Sequence, residues 1–74
     1  MIAGDLVTLN KNFTKNSEIL YKYKTTIILN FEVGKIYLDE IGLVITTSNY
    51  DNLCALIMTP RCIGWINTLY LKTL

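Results

Sequence analysis

Seventy-four residues, 51% of them hydrophobic, suffice for one domain with one small core, and a domain of this size buries only about 60% of the surface its unfolded chain exposes. Seven Lys and Arg against six Asp and Glu give a net charge of +1, far from the strongly basic profile usual for a nucleic-acid-binding domain. With no histidine, and with Cys54 and Cys62 outside a C-x-x-C spacing, the chain lacks the ligands of a zinc site, and its two thiols are expected to be buried and inert.

The first predicted element is GDLVTLN, a turn pair followed by strict alternation that sets Val7 and Leu9 on one face and Leu6 and Thr8 on the other. NKNFTKNS, residues 10–17, is polar and asparagine-rich, so a surface loop is expected there with Phe13 as its anchor. From Ile19 to Val33 the odd positions read Ile19, Tyr21, Tyr23, Thr25, Ile27, Leu29, Phe31 and Val33, whereas the even ones include Lys22, Lys24, Thr26, Asn30 and Glu32. Period two predicts a strand with its odd side inward; a local helix over residues 17–24 is the alternative.

Gly34 interrupts this run, and KIYLDEIGLVITT then reads as one long strand in which Gly42 marks a bulge or sharp bend. SNYDN, residues 48–52, is a turn by composition, and LCALIMT a buried strand. Pro60 suits the first central position of a tight reversal in TPRC. Pairing across that reversal sets Thr59 beside Cys62, Met58 beside Ile63, Ile57 beside Gly64 and Cys54 opposite Asn67, which keeps the two sulfurs apart. The whole reads as an all-β chain of five or six short strands, and a small barrel is the architecture that hides sheet edges in so short a chain.

The closing stretch Gly64-Trp65-Ile66-Asn67-Thr68-Leu69-Tyr70-Leu71 resembles the last segment of Src-homology-3 domains, which runs glycine, bulky residue, aliphatic, proline, two variable positions, tyrosine, aliphatic. Leu29-x-Phe31-x-x-Gly34 resembles the diverging turn of that fold, and Gly4-Asp5-Leu6-Val7 with Gly42-Leu43-Val44-Ile45 is similar to strand starts of bacterial and phage SH3-like barrels. The resemblance implies an SH3-like barrel with a 3₁₀ turn before its last strand and a core of Val7, Leu9, Leu29, Phe31, Val44, Ile57, Ile66 and Leu71. It places Trp65 on the outer face. Gly64 is expected to let neighbouring backbone approach closely. The groove by which this family reads proline-rich peptides needs a tryptophan at the start of the third strand, acidic residues in the first loop and a proline where Asn67 stands; of it only Tyr70 is present, which also suits a core cap.

Catalysis is not expected. Asp39 and Glu40 are adjacent, hence on opposite faces of a strand, and no nucleophile has a recognisable activating neighbour. No cofactor or metal is implied. The excess of apolar residues instead points to a homo-oligomer or a docked protein partner, with Tyr37, Tyr50, Trp65 and Tyr70 as candidate contact residues. Many Asn, Lys and Ile with a single arginine, Arg61, suggest an AT-rich genome, and together with the resemblance to phage strand starts they leave a phage origin open. The alternative is a nucleic-acid-binding barrel using Lys11, Lys15, Tyr21, Lys22, Tyr23 and Lys24, although alternation turns Lys22 and Lys24 away from the two tyrosines. No run approaches the roughly 18 apolar residues of a membrane helix, and MIAGDLV lacks a signal core. A cytoplasmic location, or a virion if phage-encoded, is expected.

Overall fold

The computed structural model describes residues 1–23, 31–48 and 53–74. They form seven strands of one antiparallel sheet: β1 (Leu6–Leu9), β2 (Ser17–Tyr21), β3 (Glu32–Tyr37), β4 (Gly42–Thr47), β5 (Cys54–Met58), β6 (Ile63–Asn67) and β7 (Leu71–Thr73), in the spatial order β3-β2-β6-β5-β4-β1-β7. A 3₁₀ turn over Thr68–Tyr70 precedes β7, as the resemblance of the closing stretch implies. No helix among the described residues is long and apolar enough to cross a membrane.

The sheet curls. β3 and β4 are four places apart in the strand order, about 19 Å in a flat sheet. The link from Tyr37 to Gly42 can reach only about 17 Å fully extended, and it is shortened by a turn in which the Glu40 amide donates to the Tyr37 carbonyl at 2.9 Å. The Thr8 hydroxyl ties this link to β1, facing the carbonyls of Glu40 at 3.1 Å and Leu38 at 3.4 Å.

The concave side holds Val7, Leu9, Leu20, Ile36, Val44, Ala55, Ile57, Ile66 and Leu71. Six of these follow from the sequence pattern. The β5–β6 hairpin has the expected register, with Met58 opposite Ile63, Ile57 opposite Gly64 and Cys54 opposite Asn67, and the Thr59 amide donates to the Cys62 carbonyl at 2.8 Å. The two cysteines form no disulfide and are half-buried.

Several expectations fail. Residues 17–21 are strand, not helix, but their phase is reversed: Leu20 is fully buried, whereas Ile19 and Tyr21 are only half-buried. Phe31 is 57% exposed rather than in the core, and Leu29 lies outside the described residues. The cause is a slot for Leu20. It sits opposite Gly34 of β3, and a Cβ built on Gly64 of β6 would lie 2.7 Å from the Leu20 Cβ. Gly34 is therefore inside a strand, not in a diverging turn. It admits Cys62, whose Sγ would lie 2.6 Å from a Cβ at that position.

Gly42 opens a new strand instead of bending a long one. Its small size matters because it faces Val7, and an added Cβ would meet the Ile57 Cδ1 at 3.3 Å. The irregularity of β4 lies further on, between Val44 and Thr46. In the first loop Phe13 is exposed and the anchor is Thr14, which is buried and donates to the Ser17 carbonyl at 3.1 Å. Of the turn expected over 48–52, only Ser48 belongs to the described residues.

Candidate functional site

The described aromatic candidates, Tyr37, Trp65 and Tyr70, do not converge on one surface. Tyr37 ends β3, where the Arg61 guanidinium stands 4.6 Å from its ring centre. Arg61 also binds Glu40, with Nη2 2.8 Å from Oε1 and Nε 3.3 Å from Oε2, and Glu40 Oε1 accepts the Tyr37 amide at 2.9 Å. The hydrogen bond from Arg61 holds the Glu40 carboxyl below its ordinary pKa, against a smaller opposing effect of burial, and the Tyr37 amide acts in the same direction as Arg61. Asp39 and Glu40 thus lie in a turn, and Glu40 fastens the end of β3 to the reversal after β5.

Tyr70, in the 3₁₀ turn, packs against the core, and its carbonyl accepts the Asn10 amide at 2.8 Å. Asn67 stands where the resemblance has a proline, and its Oδ1 accepts the Leu69 amide at 2.9 Å, so it caps the turn. Trp65 is half-buried on the outer face of β6, as expected, opposite Leu56 of β5 on one side and Tyr21 of β2 on the other. Tyr50 lies outside the described residues.

The five described residues of the nucleic-acid alternative, Lys11, Lys15, Tyr21, Lys22 and Tyr23, are dispersed as well. Lys11 and Lys15 line an open hollow of about 570 Å³ with Phe13 and with Glu18 of β2. Lys22 and Tyr23 follow its far end. Lys15 precedes β2 and Lys22 follows it, with the five strand residues between them spanning roughly 16 Å. Alternation stops at Tyr21, because residues 22 and 23 form a bend, and so Lys22 does not turn away from Tyr23: its ammonium is 5.6 Å from that ring centre. The Tyr23 ring in turn lies 6.4 Å from Phe31, tilted by 54°. Lys24 lies outside the described residues.

What the sequence reading misses is an apolar row across the convex face. Leu6 pairs with Leu43, Leu43 with Met58, and Met58 with Ile63, so one residue from each of β1, β4, β5 and β6 points the same way. Leu6 and Ile63 are each 50% exposed and Met58 is 41% exposed. A second row, Leu56 beside Trp65, adjoins it. The Met58–Ile63 step is legible from the TPRC reversal; the other two depend on long-range pairing and have no local signal. Among the described residues no three His, Cys, Asp or Glu side chains gather where a metal could be held.

Comparison with protein-family models, with characterised proteins and with solved structures finds no match for this chain.

Proposed function

We propose that the chain is a non-catalytic protein-interaction or assembly module on a small SH3-like barrel. The observation that carries this reading is the convex face, where Leu6, Leu43, Met58 and Ile63 form an apolar row that the chain's own core does not use. Lone exposed aliphatics are ordinary in a soluble domain, but a contiguous set of them marks a contact surface. The 3₁₀ turn before a short last strand, with Ile66 and Leu71 buried on either side of it, supports the SH3-like reading of the fold. The composition suits a phage gene, and a virion or cytoplasmic setting follows from that origin. Of the four aromatic candidates, Trp65 adjoins the apolar row, Tyr37 is engaged by Arg61 and Tyr70 packs on the core.

A photo-crosslinking residue at position 63, in the organism that encodes the chain, tests the reading. Discrete protein adducts are expected there, and none from position 35, which bears an exposed lysine at the sheet edge. Absence of adducts at 63 refutes it.

The second reading, single-strand binding, draws on one specific feature, the Lys22, Tyr23 and Phe31 group at the end of the β2–β3 pair where Tyr21 faces Glu32. A fluorescence titration with mixed-sequence single-stranded DNA and RNA at low salt tests it. Binding in the micromolar range that weakens with salt and is lost in Lys22→Ala supports it; no binding at high micromolar protein removes it.

A further inference from the structure

We propose that the partner of the convex face is a second copy of the chain, the two sheets stacking through the Leu6, Leu43, Met58 and Ile63 row about a two-fold axis. This inference rests on the interaction-module reading and narrows it to one occupant.

Three features of the face lead there. The first is its shape. The four residues come from adjacent strands and are directly opposite one another, so the row spans about 14 Å across the sheet. Its members are branched or flexible aliphatics at one level, the kind of surface that interdigitates with another sheet about 10 Å away.

The second is area. With about 150–200 Å² for a fully exposed large apolar residue, Leu6, Ile45, Met58 and Ile63, together with the less exposed Leu43, Leu56 and Trp65, present on the order of 400 Å². Interfaces between identical chains are about 65% apolar, so a patch of that size with an ordinary polar rim covers roughly 600 Å² on each partner. Two such faces bury about 1,200 Å², the lower bound of specific stable interfaces. A weak, reversible dimer is therefore the expected product.

The third is charge. None of these seven residues is ionisable, which suits the centre of a protein interface and provides nothing for a phosphate backbone. At the rim by Leu43 and Ile63, Glu40 and Arg61 neutralise one another at 2.8 Å. An isologous contact sets each rim against a different part of the same face, so a rim charge left unpaired would need a complement there; Glu40 and Arg61 satisfy each other and need none.

Sedimentation velocity over a series from low to high micromolar protein tests the proposal on the full chain. The wild type is expected to shift from monomer to dimer mass within that range. Ile63→Glu and Met58→Glu, which place a like charge on both sides of the contact, are expected to weaken association at least tenfold while leaving the far-ultraviolet spectrum unchanged. Leu6→Glu, at the other end of the row, is the substitute if either fails to fold. Phe31→Glu, an exposed apolar position on the β2–β3 hairpin, is expected to leave the dimer intact. A wild type that remains monomeric throughout, or a dimer that persists in the row variants or is lost in Phe31→Glu, overturns the proposal. The crosslink at position 63 separates the two levels: an adduct with a different protein refutes self-pairing and keeps the module reading, whereas no protein adduct refutes both.

Discussion

Replacing Gly64 by alanine adds one methyl group where β6 crosses β2. Its carbon would stand 2.7 Å from the Leu20 Cβ, 2.7 Å from the Val33 Cγ2 and 3.2 Å from the Leu20 carbonyl carbon. Carbon atoms rest about 3.5–4.0 Å apart, so the overlap with Leu20 is close to 1 Å. No side-chain rotation relieves it, because a Cβ is fixed to its own backbone. The strands must separate, which disturbs the Tyr21–Trp65 pairing that joins β2 to β6. Overpacking of this kind costs about 1–3 kcal/mol, and the loss of glycine's unfolded-state freedom returns only about 0.5–1 kcal/mol. The overlap of about 1 Å against atoms fixed to the backbone puts this case at the upper end of the overpacking range, about 3 kcal/mol. A net destabilisation of about 2 kcal/mol is therefore expected from a total of roughly 4–11 kcal/mol for a domain of this length. The melting temperature should fall by about 8–16 °C. Urea denaturation followed by the fluorescence of the single tryptophan, Trp65, measures it directly, since that ring lies at the affected seam. A Gly64→Ala chain as stable as the wild type, with the same dependence on urea, would show that β2 does not rest on Gly64 and that Leu20 is not held in that slot.

Gly34→Ala meets the Cys62 Sγ at 2.6 Å, the movable end of a side chain, so a smaller loss of about 1 kcal/mol is expected, and Cys62→Ala in the same chain should recover most of it; a double variant no better than Gly34→Ala alone contradicts this. Glu40→Gln removes the Arg61 pair and should lower stability only slightly at neutral pH, because the Arg61 guanidinium stands in solvent. Because the folded-state pKa of Glu40 is lowered, that contribution is full above the unfolded carboxyl pKa and disappears as pH falls through the folded value, so wild type and variant should converge in acid melts. Asn67→Ala removes the acceptor of the Leu69 amide and should cost about 1 kcal/mol by thermal denaturation, with Asn67→Asp retaining most of the stability.

The sequence by itself determined what local chemistry can enforce. A tight reversal at Pro60 leaves one register for the strands it joins, so the β5–β6 pairing from Met58–Ile63 to Cys54–Asn67 was readable residue by residue. Alternation in GDLVTLN separated Val7 and Leu9 from Leu6 and Thr8, and the resemblance of the tail to Src-homology-3 domains implied the 3₁₀ turn and the buried Ile66 and Leu71. The phase of β2 was beyond its reach. Ile19, Leu20 and Tyr21 are all apolar, so periodicity offers either side, and the choice fell to glycines at 34 and 64 that are distant in sequence and open a slot for Leu20 alone. The same reason hid the convex face. Aromatic side chains can be picked from a list, but whether Leu6, Leu43, Met58 and Ile63 stand side by side depends on which strands become neighbours, and three pairings from separate parts of the chain must coincide to bring them into one row.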